Sequence, residues 1–476
     1  MPSLTSQTES RLTKFSVLFK KFWPNFVVYN SWALTVSSLY INIIIVSNII
    51  WAGEEIHVGE LGILFGFGTW MMGISGLFFG YLADRINRIK LMTLTMIMFG
   101  VGMLINGFSP EGQGSLTFYF FLGCLLFRNL FCGGFWPIIL SYTNDSIEEF
   151  ERSRFFGAIN ATFQVFQISG MLISTLLFQN QFWREFMWGM GLLYLIGGVM
   201  ISLKGIEPKR GGAKNQLKAV LFESGIKYQY KLTKKTFRTT ILKPTICILF
   251  VEGIFISMCF SLVDFLFITY LQSPPHNISP FITTVYLTIF GISGGILGSI
   301  GFSKLSDKLA NKNSKNRIYL IVFSIVIVFS TYIFLFFIPI QSMTPVQGND
   351  LVFIITTPAF WLLGIGAFIF RSIISIYSIN QPPLIQKINL PESQGIISSS
   401  SQFLDFIGLG IGPMIAGMIL ELYNKNYQIT VLISMIIGII GVLFWLLAIK
   451  WINKDIETIS SILNLRAEEM SRINVK

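Results

Sequence analysis

Five charged side chains stand inside otherwise apolar runs of this sequence: Arg128, Glu252, Asp264, Arg371 and Asp405. A charge at the centre of a bilayer-spanning helix costs about 2.5–3.5 kcal/mol on translocon scales, so those that persist usually face a cavity or a partner. A guanidinium held there can grip an anionic group; a carboxylate can take up and release a proton. Arg128 and Asp405 lie near the middle of their runs and lead the candidates for substrate contact or coupling. Asp264 shares a helical stripe with Ser257 and Ser261, which makes that face polar. Glu252 lies nearly opposite the stripe and is expected to pair with a neighbouring helix. Arg371 is placed toward the end of its run, from which it can snorkel to the interface.

Uncharged polar residues extend the set. Ser31, Thr35, Ser38 and Asn42 fall on one helical face, a pattern that suits either cavity lining or helix-to-helix hydrogen bonds. Asn160, Gln164 and Gln167 are placed to contact a substrate head group. Phe131, Phe135 and Trp136 flank Arg128, and rings beside a buried cation suit an anionic amphiphile. The patterns GxxxxGK[ST] and HExxH are missing, and the one GxSxG match, Gly291 to Gly295, lies inside an apolar run, so nucleotide-driven and hydrolase chemistry have no support. No enzymatic activity, cofactor or metal is expected. Cys124, Cys132, Cys247 and Cys259 fall within the apolar runs without metal-ligand spacing and read as packing residues. His57 and His276 sit in short connections and read as solvated loop residues.

The runs that must position these groups number twelve. They are 26–51, 59–82, 90–108, 115–140, 155–178, 185–203, 245–271, 280–302, 317–340, 351–378, 394–420 and 428–450. Each is about long enough to cross the ~30 Å hydrocarbon core as a helix. Hydrophobic residues make up 53% of the chain and charged ones only 12%, half the share of a soluble domain. The chain is therefore a polytopic helical membrane protein with almost nothing left for a soluble domain.

The net charge of +11 could suggest nucleic acid, but its placement says otherwise. Of 35 Lys and Arg, 31 lie in alternate connections counted from the N-terminus. The other connections hold only Arg184 and Lys425. Basic residues near span ends stay cytoplasmic, so both termini are expected in the cytoplasm, the cell membrane is the expected location, and no nucleic-acid partner is implied. The lipid bilayer is the partner that this distribution fits.

One connection, 204–244, carries eleven basic residues and the amphipathic piece "LKAVLFESGIKYQY". Six runs precede it and six follow. The expected organisation is a cytoplasmic segment 1–25, a six-helix bundle 26–203, the basic linker 204–244, a second bundle 245–452 and a cytoplasmic tail 453–476. A weak repeat supports this: "GYLADR" from Gly80 is echoed by "SKLSDK" from Ser303, which sets Asp84 and Arg85 opposite Asp307 and Lys308. Aligning Glu151 with Glu392 sets Gln164 opposite Asp405. Parallel repeats of this kind build one class of transporter, with its substrate site near the midplane.

The stretch "GYLADRINR", 80–88, fits the signature Gly-x-Leu-x-Asp-Arg-x-x-Arg, and with it the whole chain resembles the major facilitator superfamily. The resemblance implies an all-α membrane fold of twelve transmembrane helices in two pseudo-symmetric six-helix bundles. It implies that Asp84 meets the start of the eleventh helix near Pro391-Glu392-Ser393 as a conformational latch, with Arg85 and Arg88 as its charge relay. Gly80 would let the second span approach a neighbour closely. Arg128 matches the superfamily's buried arginine, and "FWREFMWGMG" its Trp-Arg start of the sixth span. "ERSRFFGAIN" and "EPKRG" are similar to the Spinster-like branch, which exports lysolipids and related amphiphiles. That branch's coupling carboxylates are missing: the first span reads Tyr29-Asn30-Ser31, and Phe135 follows Gly134.

The resulting expectation is a monomeric secondary transporter that works by rocker-switch alternating access. It would carry a small organic or amphiphilic solute, lysolipid-like by the narrower resemblance, coupled to protons or sodium. Proton coupling would rest on Asp405, Asp264 and Glu252. The competing readings are a uniporter or symporter of a hydrophilic solute such as a sugar or organic anion, and a non-transporting membrane receptor.

Overall fold

The computed structural model describes residues 19–83, 85–147, 149–207, 243–390 and 393–474. Asp84, Pro391, Glu392 and most of the basic linker, including its amphipathic piece, lie outside the described residues. Within them all regular structure is helical, and eleven helices are long and apolar enough to cross a membrane, or twelve with one bent pair.

That pair is the first span. Trp23–Val36 (α1) and Ser38–Ile41 (α2) meet Ile43–Ile50 (α3) at a bend of 67°, where one continuous span over 26–51 is expected from the sequence. The breaks fall at Ser37 and Asn42. Ser38 donates its hydroxyl to the Thr35 carbonyl at 2.8 Å, and the Asn42 amide donates to the Ser38 carbonyl at 2.7 Å. Short polar side chains that capture backbone carbonyls bend helices in this way.

There follow Val58–Ala83 (α4), Arg88–Gly107 (α5), Ser115–Cys132 (α6), Phe135–Ser146 (α7), Glu149–Gln179 (α8) and Trp183–Lys204 (α9). After the linker come Pro244–Gln272 (α10) and Pro280–Tyr286 (α11), which runs through a π-helical turn, Leu287–Ile292, into Ser293–Lys312 (α12). Lys315–Phe337 (α13), the short Pro345–Gly348 (α14) and Leu351–Thr356 (α15), Pro358–Lys387 (α16), Gln394–Leu422 (α17) and Tyr427–Ala448 (α18) complete the spans. Ile452–Asn474 (α19) is a further helix in the polar tail.

The tenth span departs from its expected limits of 351–378. Asp350 caps α15 by accepting from the amides of Val352 and Phe353, and the chain breaks before Pro358, which opens α16. Proline suits the first helical position and ends what precedes it. The spanning helix therefore starts later and runs on to Lys387, which moves Arg371 from the end of the span to its interior.

The chain divides into two compact units, Met1–Ile56 with Trp70–Gln229 and His57–Thr69 with Tyr230–Lys476. In the first, α5 packs along α9 and α1 along α8, around fully buried Phe121, Phe135, Phe155, Phe178, Phe186 and Tyr194. In the second, α10 packs on α17 and α18, and α16 on α12 and α13. Gly408 and Gly412 explain the closeness of α10 and α17: a Cβ on either would collide with the α10 backbone at Ile254 or Met258. Lipid removes most of the hydrophobic drive for helix association, so such backbone approach is what holds spans together. Also within the second unit, the Gly59 amide at the start of α4 donates to Glu421 Oε1 at 2.7 Å.

Candidate functional site

Arg128 projects from α6 with only 5% of its surface exposed. Its Nη1 lies 2.7 Å from the sulfur of Met103 and 3.9 Å from that of Met187, and its guanidinium sits 5.7 Å from the Phe99 ring centre. Thioether sulfur is a weak acceptor. Among the described residues no carboxylate pairs with Arg128, and its Nε has no hydrogen-bond partner. A buried cation so poorly compensated is costly unless a ligand completes it.

The aromatic residues expected around Arg128 divide into separate groups. Phe135 is fully buried and lies 5.7 Å from Phe99 and 6.2 Å from Tyr194, on the arginine's side of the unit. Phe131 packs on Phe79 and Phe127. Trp136 turns instead to Tyr29 at 5.2 Å, and Phe163 joins Tyr29 at 4.4 Å and Trp32 at 5.4 Å. This second patch, built by α1, α7 and α8, has no counterpart in the sequence reading.

The polar face of the first span is occupied internally. Thr35 Oγ1 and the Tyr194 hydroxyl lie 2.8 Å apart, Tyr194 donates to the Ser31 carbonyl, and Asn42 Nδ2 donates to Ser174 at 3.3 Å. Ser38 and Asn42 are buried. Asn42 ties the first span to α8, whereas Ser38 spends its hydroxyl on the Thr35 carbonyl within the same span. Gln167 donates to Ser37 at 3.1 Å, whereas Asn160 and Gln164 are exposed on α8.

In the second unit the three candidate carboxylates separate into two clusters. Asp405 of α17 accepts from Ser257 at 3.3 Å and lies against Gly253, where a Cβ would come within 2.6 Å of its Oδ1. Glu252 is fully buried, accepts from the Tyr377 hydroxyl at 3.1 Å, and has the Trp445 indole and Asp405 as further electrostatic neighbours. Asp264 belongs elsewhere. It accepts from the Tyr332 hydroxyl at 2.8 Å and pairs with Arg371 at 3.3 Å. Arg371, expected to snorkel to the interface, is instead engaged by a carboxylate in the interior of its span.

The signature stretch also resolves into named contacts. Arg88 is 2% exposed and pairs with Glu207 at 2.8 Å; the other Glu207 oxygen accepts from the Ile89 amide at 3.0 Å. One carboxylate thus neutralises the arginine and caps the start of α5, where the helix dipole favours it. Arg85 is exposed and stacks 4.0 Å over the Tyr81 ring. Gly80 is not a forced close approach: a Cβ there would sit 3.7 Å from Pro137, in ordinary contact. In the echo, Asp307 is exposed and pairs with Arg317 at 3.0 Å, while Lys308 is exposed. Arg317 also donates to Asn380, which in turn donates to Ser306.

Loops and cysteines bring two more departures. His276 is buried, 5% exposed and edge-on to Tyr270 at 4.5 Å, because the connection folds back so that Met343 donates its amide to the Pro275 carbonyl. Cys124, Cys132 and Cys259 are buried, but Cys247 is exposed on α10. Tyr332, Tyr377, Met103 and Met187 carry no signal in the sequence, since tyrosine and methionine inside apolar runs look like packing residues; Glu207 and Arg317 lie at span ends, where a charge is ordinary. Among the described residues no cluster of His, Cys, Asp and Glu could hold a metal ion.

Comparison with known proteins agrees with this architecture. The model of the Major Facilitator Superfamily matches residues 31–384. No curated protein matches in sequence. The fold is similar to a bacterial homologue of the human lysosomal transporter Spinster, inward-facing and unoccupied, with TM-score 0.68, 17% identity, and 92% of this chain and 98% of that one covered. The same homologue in its occupied form gives 0.65 at 17% identity, over 92% and 97%. The nucleoside transporter NupG gives 0.58 at 14% identity, over 91% and 98%. These likenesses are of fold. With the superfamily's model spanning most of the chain and eleven or twelve helices fit to cross a membrane, the protein belongs to the Major Facilitator Superfamily and is a multi-pass integral membrane transporter of a small-molecule substrate.

Proposed function

We propose that this transporter is a secondary active carrier of an anionic amphiphile, lysolipid-like in outline, which moves by alternating access with both termini in the cytoplasm. The observation that carries this reading is Arg128, a buried guanidinium left with sulfur and ring neighbours. An anionic head group would supply the missing charge, and the aromatic patch of Tyr29, Trp32, Trp136 and Phe163 offers a surface for a tail. The resemblance of "ERSRFFGAIN" and "EPKRG" to the Spinster-like branch favours the same class.

A ligand-stabilisation screen on purified protein tests the reading, with lysophospholipids, nucleosides, sugars and organic anions as separate arms. Anionic lysolipids should stabilise the wild type, and Arg128→Gln should weaken their apparent affinity about tenfold or more, the loss expected for one charged contact. Stabilisation by nucleosides or sugars alone would assign a hydrophilic substrate and end the amphiphile reading.

Proton coupling is assigned to Asp405 and Glu252. Asp264 is set aside because Arg371 and Tyr332 already engage it. In proteoliposomes, uptake should follow an imposed pH gradient in the wild type and lose that response in Asp405→Asn with Glu252→Gln. A sodium-dependent response that survives both substitutions would replace the proton with sodium.

A further inference from the structure

Between α11 with its π-helical turn and the α15–α16 corner, the second unit holds a cavity of about 250 Å³. Its wall includes Ile282, Tyr286, Ile289, Phe290, Ile355 and Trp361. Both polar tips in that wall are already used. The Tyr286 hydroxyl donates to the Phe360 carbonyl at 2.7 Å, and the Trp361 indole donates to the Ile355 carbonyl at 2.8 Å. A buried water needs two to four polar partners, and here no side chain offers one, so the cavity is not built for water.

Its volume exceeds the roughly 150 Å³ at which an engineered apolar cavity takes up benzene. The rim is open: Ile289, Ile355 and Trp361 are each half exposed. The flanking helices, Pro280–Ala310 and Pro358–Ile385, belong to candidate membrane spans, and an apolar opening on such helices suits hydrocarbon rather than water. The floor is shaped as well. Gly364 makes room for the Phe290 ring, which a Cβ would meet at 2.7 Å, and the wide π-helical turn carries Ile289 and Phe290. Such turns mark functional sites more often than chance.

We propose that this groove is a binding site for one acyl chain of a bilayer phospholipid, a site separate from the polar clusters that serve transport. The chain enters from the surrounding leaflet beside the α14–α15 turn, which leaves the head group near the polar residues Thr344 to Asp350.

The full-length protein in nanodiscs containing a phosphatidylcholine with a diazirine near the end of one chain provides the test. Photolabelling mapped by mass spectrometry should favour peptides around 285–290 and 355–361 over the lipid-facing α9 surface at Leu192 and Ile196 by about fivefold, a preference of roughly 1 kcal/mol. Ile289→Trp, at the exposed rim, should abolish that preference and leave α9 labelling unchanged; Ile355→Trp blocks from the opposite wall should the first variant fold poorly. Equal labelling of groove and α9 in the wild type, or labelling indifferent to both blocking variants, overturns the proposal. Competition by lysolipid but not by phospholipid would assign the groove to transported substrate and overturn it equally.

Discussion

Arg371 of α16 and Asp264 of α10 face each other at 3.3 Å within their spans, and Tyr332 of α13 completes the carboxylate's shell. Three helices are thereby joined at one point. Neutralising either charge alone leaves a net charge inside the span, whereas neutralising both removes it. Asp264→Asn and Arg371→Gln should each lower the melting temperature, and the double variant should recover part of the loss, with a coupling of about 1 kcal/mol. Thermal denaturation of the four proteins in one detergent measures it; strictly additive effects would show that the pair does not act as a unit.

The Arg88–Glu207 pair joins the start of α5 to the chain just after α9. Glu207→Ala removes a charge-assisted bond and a helix cap together, so it should cost about 2 kcal/mol. Arg88→Ala should cost a similar amount, and the two together less than the sum. Urea or thermal unfolding monitored by tryptophan fluorescence resolves the difference. An additive double variant would argue that each residue acts through other contacts.

Gly253 gives Asp405 its place. Gly253→Ala sets a methyl group within 2.6 Å of the carboxylate's present position, so the side chain must move. Expression and melting temperature should change little, while gradient-driven uptake should fall about tenfold, the scale of roughly 1.4 kcal/mol at a coupling group. Uptake at the wild-type rate would remove Asp405 from the coupling machinery.

Burial holds the His276 imidazole below its ordinary pKa. Its neutral form is therefore the one that the folded loop favours. The stabilisation is complete above the unfolded value of about 6.5 and is lost as pH falls from there through the folded value. Between pH 7 and pH 5 the wild type should lose more melting temperature than His276→Gln. Parallel curves for the two proteins would show that the loop does not discriminate between the protonation states.

Much of the architecture was legible in the sequence, because lipid permits few alternatives. Every spanning segment must satisfy its own backbone, so length and hydropathy alone locate the helices. The signature around Arg85 and Arg88 and the repeat at Asp307 gave the family. Buried charges, too, declare themselves, since each must be compensated to persist.

Compensation is where sequence stopped. Which carboxylate meets which arginine depends on how the helices are phased and packed, and the pairing of Arg371 with Asp264 could not be read from the order of residues. Asn42 could serve a cavity or a neighbouring helix with equal propriety until its bond to Ser174 was seen. Glu252, Asp264 and Asp405 form one list along the chain but two clusters in space, because helical phase and the crossing of α10 with α17 and α16 decide which side chains meet. Composition and periodicity act along one dimension; the pairing of charges is a property of three.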